Sequence, residues 1–518
     1  MAMKNKKRKK PNNKPKNRES VMIRKEEPVE AIDSEPVFSY FREICAIPHG
    51  SGHTAAISEY LVSFAKEHGY PFRKDSADNV VIFCPASPGL ENAEPLILQG
   101  HMDMVLEKES GKEIDMVTEP ITVIEEGDWI RADGTTLGGD DGIAVAMMLA
   151  LMDDRTIRRP PLECIITADE ETGMIGAQAL DLSGIKGRKM INIDSEQEGI
   201  ITAGCAGGAE VHQKLRMRRK EREGFPLSIR VSGLLGGHSG EAIRLGRANA
   251  VYVLGRLLYE LLGHCKFRLV AFEGGGKDNA IPREACAQIL LSRRDGEEDR
   301  MQQIIAQVKA IGETLRHEFE LTDPGMEISC EENDTVLTTE AFSRKATLDC
   351  LRYLMTLPDG VLAYSPSFAG LPQTSLNLGI LRTEEDGIKT VFLVRSSIES
   401  QKRMLVEKLH CAAYGYGAGS KVVGTYPAWE YKAHSPFRDT VAALYEQETG
   451  KAPEVAVIHG GLECGLLSAK IPGLECVSIG PDLIDIHTPA ERLSRSSTER
   501  LWKFLRSLVQ HLAEASPE

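Results

Sequence analysis

The sequence predicts an α/β fold with a mostly parallel sheet, interrupted by an inserted α+β segment. Two patterns predict it. From Glu35 to Asp194, short apolar runs of strand length alternate with stretches of helical spacing, the order that builds a parallel sheet with crossover helices. After Gly204-Cys205-Ala206-Gly207-Gly208 the alternation breaks down. It resumes at about Gly424-Thr425.

In order along the chain, Val37–Ile47 has helical apolar spacing and stops at Pro48, and Ala55–His68 reads as a second amphipathic helix. Val80–Cys84 and Pro95–Gln99 read as strands. The helix that starts at Gly142 is apolar on nearly every face and therefore belongs inside the protein. Cys164–Thr167 and Met190–Ile193 are further buried strands. Within the insert, Pro226–Ser232, Phe267–Phe272 and Cys286–Ser292 read as strands, and Ala248–Leu262 and Met301–Glu318 as helices. Cys476–Ile479 is a last buried strand, and Thr498–Ala513 a closing amphipathic helix. The expected divisions are a tail (1–34), the first part of the sheet domain (35–207), the insert (208–422) and the second part (423–518).

Composition narrows the function classes. A chain of 518 residues exceeds one ordinary domain, and 42% apolar residues can fill real cores. No apolar run approaches the roughly 20 residues of a membrane span. Eleven cysteines fall singly without a C-x-x-C pair, the usage of a reduced, cytosolic protein. No apolar region follows the basic N-terminus, as a secretory signal requires. Residues 1–18 hold nine Lys or Arg and no acid, too polar a stretch to fold by burial. This tail is the one segment suited to nucleic acid; the chain as a whole carries −14, so its body is strongly acidic.

The chemistry lies at the ends of the predicted strands. QGHMDM places His101 and Asp103 just past Pro95–Gln99, and ADEETG places Glu170 and Glu171 past Cys164–Thr167. NIDSE places Asp194 past Met190–Ile193, and DIHTPAE places His487 some way past Cys476–Ile479. LGGDDG sets Asp140 just before the buried helix. In open α/β sheets ligands bind beyond the carboxyl ends of the strands. So many carboxylates in one crevice are relieved most simply by cations. Residues two apart at a strand end point to one side, so Asp103 can orient the His101 imidazole. Asp140, in a glycine-rich turn, is the best candidate for a carboxylate that reaches two ions. Glu170 and Glu171, being adjacent, can serve one site only from the loop after their strand. There, one ligates a metal and the other accepts a proton from water.

IPHGSGH, QGHMDMV, GTTLGGDDGIA, ADEETGMIGA, INIDSEQEG, GCAGG, GLLGGHSG, NAIPREA, TSLNLG, IHGGLECGL and SIGPDLIDIHTP together resemble the M20 metallopeptidases. Within them the likeness is to the peptidase D branch of aminoacyl-histidine dipeptidases, from about Ser39 to about Leu512. The resemblance implies two divalent metal ions, Zn²⁺ first, with Mn²⁺ and Co²⁺ also accepted by such ligands. One would be held by His101 and Asp194, the other by Glu171 and His487, with Asp140 bridging. It implies that Glu170 is the general acid/base acting on a water between the metals, that Asp103 orients His101, and that the Asp140–Asp141 peptide is cis. Relatives often carry Asn where this chain has Asp141.

His238 in GGHSG is implied to stabilise the oxyanion, Asn279 and Arg395 to grip substrate, and Glu463, with His459, to lie beside it. Asp at position 194 is the aminopeptidase and dipeptidase choice, where carboxypeptidases tend to have Glu. The implied protein is a cytosolic dipeptidase of Xaa-His, carnosine-like and other dipeptides. It would be a homodimer whose insert is a lid and dimerisation domain, with His238 reaching the partner's site. Two other readings stand beside this one: an M20 amidohydrolase of N-acyl amino acids, and a non-catalytic binding protein on a peptidase scaffold. The complete ligand set speaks against the second, although fold alone does not decide function.

Overall fold

The computed structural model describes residues 33–292, 298–332 and 335–514; the expected basic tail, up to residue 32, lies outside them. Two large sheets organise the described residues. The first has eight strands in the order Phe72–Lys74, Val80–Cys84, Leu162–Thr167, Leu96–His101, Lys189–Asn192, Glu475–Ser478, Ile200–Cys205 and Glu454–Ile458. Its middle is parallel: Leu96–His101 pairs in parallel with both Leu162–Thr167 and Lys189–Asn192, and the latter with Glu475–Ser478. Toward one margin the pairing turns antiparallel, at Val80–Cys84 and Phe72–Lys74.

Alternation along one strand shows why both faces are covered. Leu96 and Leu98 point into a core built with the helices Glu35–Cys45, Ala55–His68, Gly139–Asp153, Pro436–Thr449 and Arg495–Glu514. Ile97 points the other way, against Cys464 and Leu467 of the helix Glu463–Lys470. The all-apolar helix is buried as expected, with every residue from Ile143 to Met152 at 2% exposure or less. Each large side chain so buried contributes about 1.5–3 kcal/mol. The expected start at Gly142 also holds, because Asp140 and Asp141 have non-helical φ/ψ and regular helix follows them.

The second sheet is antiparallel throughout and lies within the insert. The helices Ala250–Leu261, Glu298–Glu318, Arg344–Thr356 and Glu399–Gly415 pack into one core with it. Its strand Gly207–Arg216 pairs with Gly419–Tyr426, so the expected return at 423 falls inside a strand of the insert. The chain leaves that sheet after Tyr426. Beside the crossing, Cys205 and Trp429 exchange backbone hydrogen bonds of 3.0 and 3.2 Å.

A four-stranded sheet that sequence reading missed joins Val123–Glu126, Trp129–Ala132, Arg492–Ser494 and Leu483–Ile484. These strands are short and only partly apolar, so no periodic signal marks them. The sheet matters because His487 lies in the loop between its last two strands in sequence.

Candidate metal centre

Four adjacent parallel strands deliver the predicted residues to one place. His101 ends the strand Leu96–His101, loops leaving Leu162–Thr167 and Lys189–Asn192 carry Glu170 and Glu171 and Asp194, and His487 follows Glu475–Ser478 through the small sheet. Asp140 stands at their centre. Its Oδ1 is 3.0 Å from His101 Nε2 and its Oδ2 is 3.2 Å from His487 Nε2. Asp194 lies 3.7 Å from His101 Nε2, and Glu171 2.7 Å from His487 Nε2. Ligand atoms of His101, Asp140 and Asp194 lie within 4.8 Å of one another, as do those of Asp140, Glu171 and His487, and those of His101, Glu170 and Glu171. The peptide between Asp140 and Asp141 is cis.

Backbone contacts hold these loops. The Asp103 carboxylate accepts the N–H groups of Glu170 and Glu171, at 3.0 and 3.4 Å, and the Ser51 hydroxyl at 2.8 Å. Toward His101 the nearer acceptor is not that carboxylate. His101 Nδ1 is 3.0 Å from the Asp103 carbonyl oxygen and 3.4 Å from Oδ1. The backbone thus offers His101 Nδ1 a nearer acceptor than the carboxylate expected to orient it. Asp169 turns the chain into the Glu170 loop with φ +55°, and its side chain accepts the Gly52 N–H at 2.6 Å. The buried Asp141 accepts the His101 N–H at 3.1 Å.

Charge in the crevice is unbalanced. Burial, together with neighbouring acids, holds the carboxyls of Glu170 and Asp194 well above their ordinary range, and that of Glu171 above it. Burial opposes charge on His487, but Asp140 and Glu171 outweigh it and raise its pKa to about 11. At His101, too, the surrounding carboxylates overcome burial. Among the described residues no Lys or Arg forms an ion pair with Asp140, Glu171 or Asp194; imidazoles alone face them. This His/carboxylate set, short of positive charge, fits two divalent cations.

A protein-family model for peptidase family M20/M25/M40 matches residues 97–511. The chain belongs to this family. It is 35% identical to the cytosol non-specific dipeptidase of Escherichia coli (strain K12), over 93% of this chain and 98% of that one. The crystal structure of aminoacylhistidine dipeptidase from Vibrio alginolyticus superimposes with a TM-score of 0.81 at 35% identity, covering 95% of this chain and 99% of the other. The aminopeptidase PepT of Bacillus cereus ATCC 10987 shares the fold, with a TM-score of 0.54 at 16% identity over 93% and 100% of the two chains.

In this M20 chain the insert carries His238, Asn279 and Arg395, and the segment of the first adjoins that of His459. His238 pairs in a short two-stranded ribbon with Ala280, beside Asn279, whose carbonyl accepts the Ser239 N–H at 2.8 Å. A Cβ on Gly240 would lie 2.9 Å from His238 Cε1 and 3.4 Å from the His459 carbonyl, so the two segments meet across this glycine. The His238 pKa is lowered by desolvation and then by Arg395, with His487 also contributing. His459 Nε2 is 2.7 Å from Ser375 Oγ. Arg395 is buried, stands opposite Ser375 on the paired strand, and donates to the Tyr426 hydroxyl at 3.0 Å.

Glu463 is a correction. Expected beside the substrate, it is fully buried beneath the strand ends, where Gln99 Nε2 and Thr167 Oγ1 each donate to its Oε2 at 2.5 Å. Asn192 in turn donates to Gln99 at 2.6 Å. Gln99 shares the pleat side of Ile97, which faces the Glu463–Lys470 helix, so Glu463 bonds two of the parallel strands from below and reaches Asn192 on a third through Gln99. Sequence reading also missed Glu491, although it ends the DIHTPAE motif. Its carboxylate accepts the N–H groups of Leu137, Gly138 and Gly139 at 2.8, 3.3 and 2.8 Å.

Proposed function

We propose that this chain is a cytosolic, metal-dependent dipeptidase that hydrolyses Xaa-His, carnosine-like and other dipeptides. The observation that carries the reading is the position of Asp140 between His101 and His487, one carboxylate oxygen toward each. The names of the two 35%-identical relatives support the substrate class and the compartment.

Two divalent cations, Zn²⁺ first with Mn²⁺ and Co²⁺ as substitutes, would be held by His101, Asp140 and Asp194 and by Asp140, Glu171 and His487. Bound there, they would supply Lewis acidity and lower the pKa of water. The rest is the work of side chains. Glu170 takes the proton of the attacking water on its carboxylate and passes it to the leaving amine. Its loop is held for this by the N–H bond to Asp103. His238 donates to the oxygen of the scissile carbonyl as negative charge develops there. Arg395 offers its guanidinium fork to the dipeptide's terminal carboxylate, with Asn279 beside it. The chain would act as a homodimer in which His238 serves the partner's site, and the nearness of the Gly240 segment to His459 makes action within its own chain the alternative.

The test is a panel of dipeptides and N-acyl amino acids assayed before and after chelation. Hydrolysis of dipeptides, lost on chelation and restored by Zn²⁺ or Mn²⁺, is expected. Turnover that survives complete metal removal would sink the mechanism, and preference for N-acyl amino acids would move the chain to the amidohydrolase class.

A further inference from the structure

Glu491 has no part in the chemistry above, yet it ties the backbone before Asp140 to the His487 loop. It is buried at 2% exposure and lies four residues beyond His487. Its Oε2 accepts the N–H groups of Leu137 and Gly138, and its Oε1 that of Gly139. Gly138 has φ +69°, so the three amides turn inward around the carboxylate as a backbone anion nest. Asp140 is the next residue in the chain. One carboxylate from the His487 loop therefore holds the three peptides that lead into the residue between the two imidazoles.

We propose that Glu491 is a positioning residue: by clamping Leu137–Gly139 from the His487 loop, it sets the orientation of Asp140 relative to His487 and so the spacing of the two cation positions. A carboxylate is needed because three N–H groups must be satisfied at once. Gln keeps the shape but offers one acceptor oxygen and turns an NH₂ group toward an amide N–H. Asp keeps both oxygens on a stem one methylene too short to reach all three.

The proposal rests on the two-cation reading, and its test separates the two. Cation-free wild type, E491Q and E491D are titrated with Zn²⁺ against a chromophoric chelator, and with Co²⁺ followed by visible absorption; folding of each is checked by circular dichroism. Wild type is expected to take up two equivalents. E491Q is expected to keep the wild-type fold and bind the pair about 10–100-fold more weakly, the usual cost of losing an outer-shell partner. E491D should fall between them, and the Co²⁺ bands of both variants should shift. Should E491Q not fold, E491D carries the comparison. Wild type that binds fewer than two cations overturns the two-cation reading itself. Two cations in wild type, with unchanged affinities and Co²⁺ spectra in the folded variants, overturn the role of Glu491 alone.

Discussion

Asp103 accepts the backbone N–H of Glu170 at 3.0 Å, which ties the loop after one strand to the end of its parallel neighbour. The backbone of Glu170 is thereby fixed, which suits the proton-transferring role proposed for its side chain. The neighbouring Glu171 is bonded to His487 instead. Two adjacent acids thus have different surroundings.

That difference makes Glu170→Gln informative. The amide nearly matches the carboxylate in shape but cannot take a proton from water. Activity should fall about 10²–10⁴-fold or more, with two equivalents of metal retained by elemental analysis. A variant that loses metal instead would make Glu170 a ligand and exchange its role with that of Glu171.

His238 stands on the insert, paired with Ala280, outside the three ligand groups. His238→Ala should depress kcat by about 10²–10³-fold while metal content stays at the wild-type level. Mixing this variant with Glu170→Gln tests which chain the imidazole serves. Partial activity should return on subunit exchange if the imidazole reaches a partner's site, as the resemblance implies; no return, with exchange demonstrated, would mean that it serves its own chain or none.

Arg395 is buried with the Tyr426 hydroxyl as its hydrogen-bond partner, so a carboxylate arriving beside it gains a charge-assisted bond at little cost in side-chain ordering. Arg395→Ala should raise KM for dipeptides about 10–100-fold, as expected for the loss of hydrogen bonds to a charged group. KM for the C-terminally amidated dipeptides should hardly change. Equal effects on both substrates would remove the terminal carboxylate as its target.

Glu463 carries a pH signature of its own. Burial raises its carboxyl pKa from the ordinary 4.5 to about 7, against the opposing influence of His101 and the bonds from Thr167 and Gln99. Below pH 4.5 the folded and unfolded states are both protonated. Between 4.5 and 7 the unfolded chain loses the proton that the folded one keeps, so stability falls as pH rises and levels off above 7. Urea unfolding of the cation-free protein should therefore show Glu463→Gln gaining on wild type between pH 5 and pH 8, by an amount on the order of a few kcal/mol. A difference that stays constant across that range would mean the group does not titrate there.

The parts of this protein legible in its sequence are those in which neighbours along the chain determine the outcome. The helix Ala55–His68 and the strand Val80–Cys84 have the predicted bounds because periodic burial is a local property. The ligand types at strand ends were legible for the same reason, since an apolar run followed by His or a carboxylate places that group at the sheet's edge. What the tertiary structure alone decided is which distant segments meet. Gly139 and Glu491 are bonded across 352 positions and Gln99 and Glu463 across 364. No periodicity reports such pairings, and a fully buried acid in HGGLECG is indistinguishable in sequence from one that lines a cleft. Only the packed sheet, with helices on both faces and the short hairpin carrying His487, turns the two oxygens of Asp140 toward opposite imidazoles, because that orientation depends on backbone hydrogen bonds between segments the chain keeps far apart.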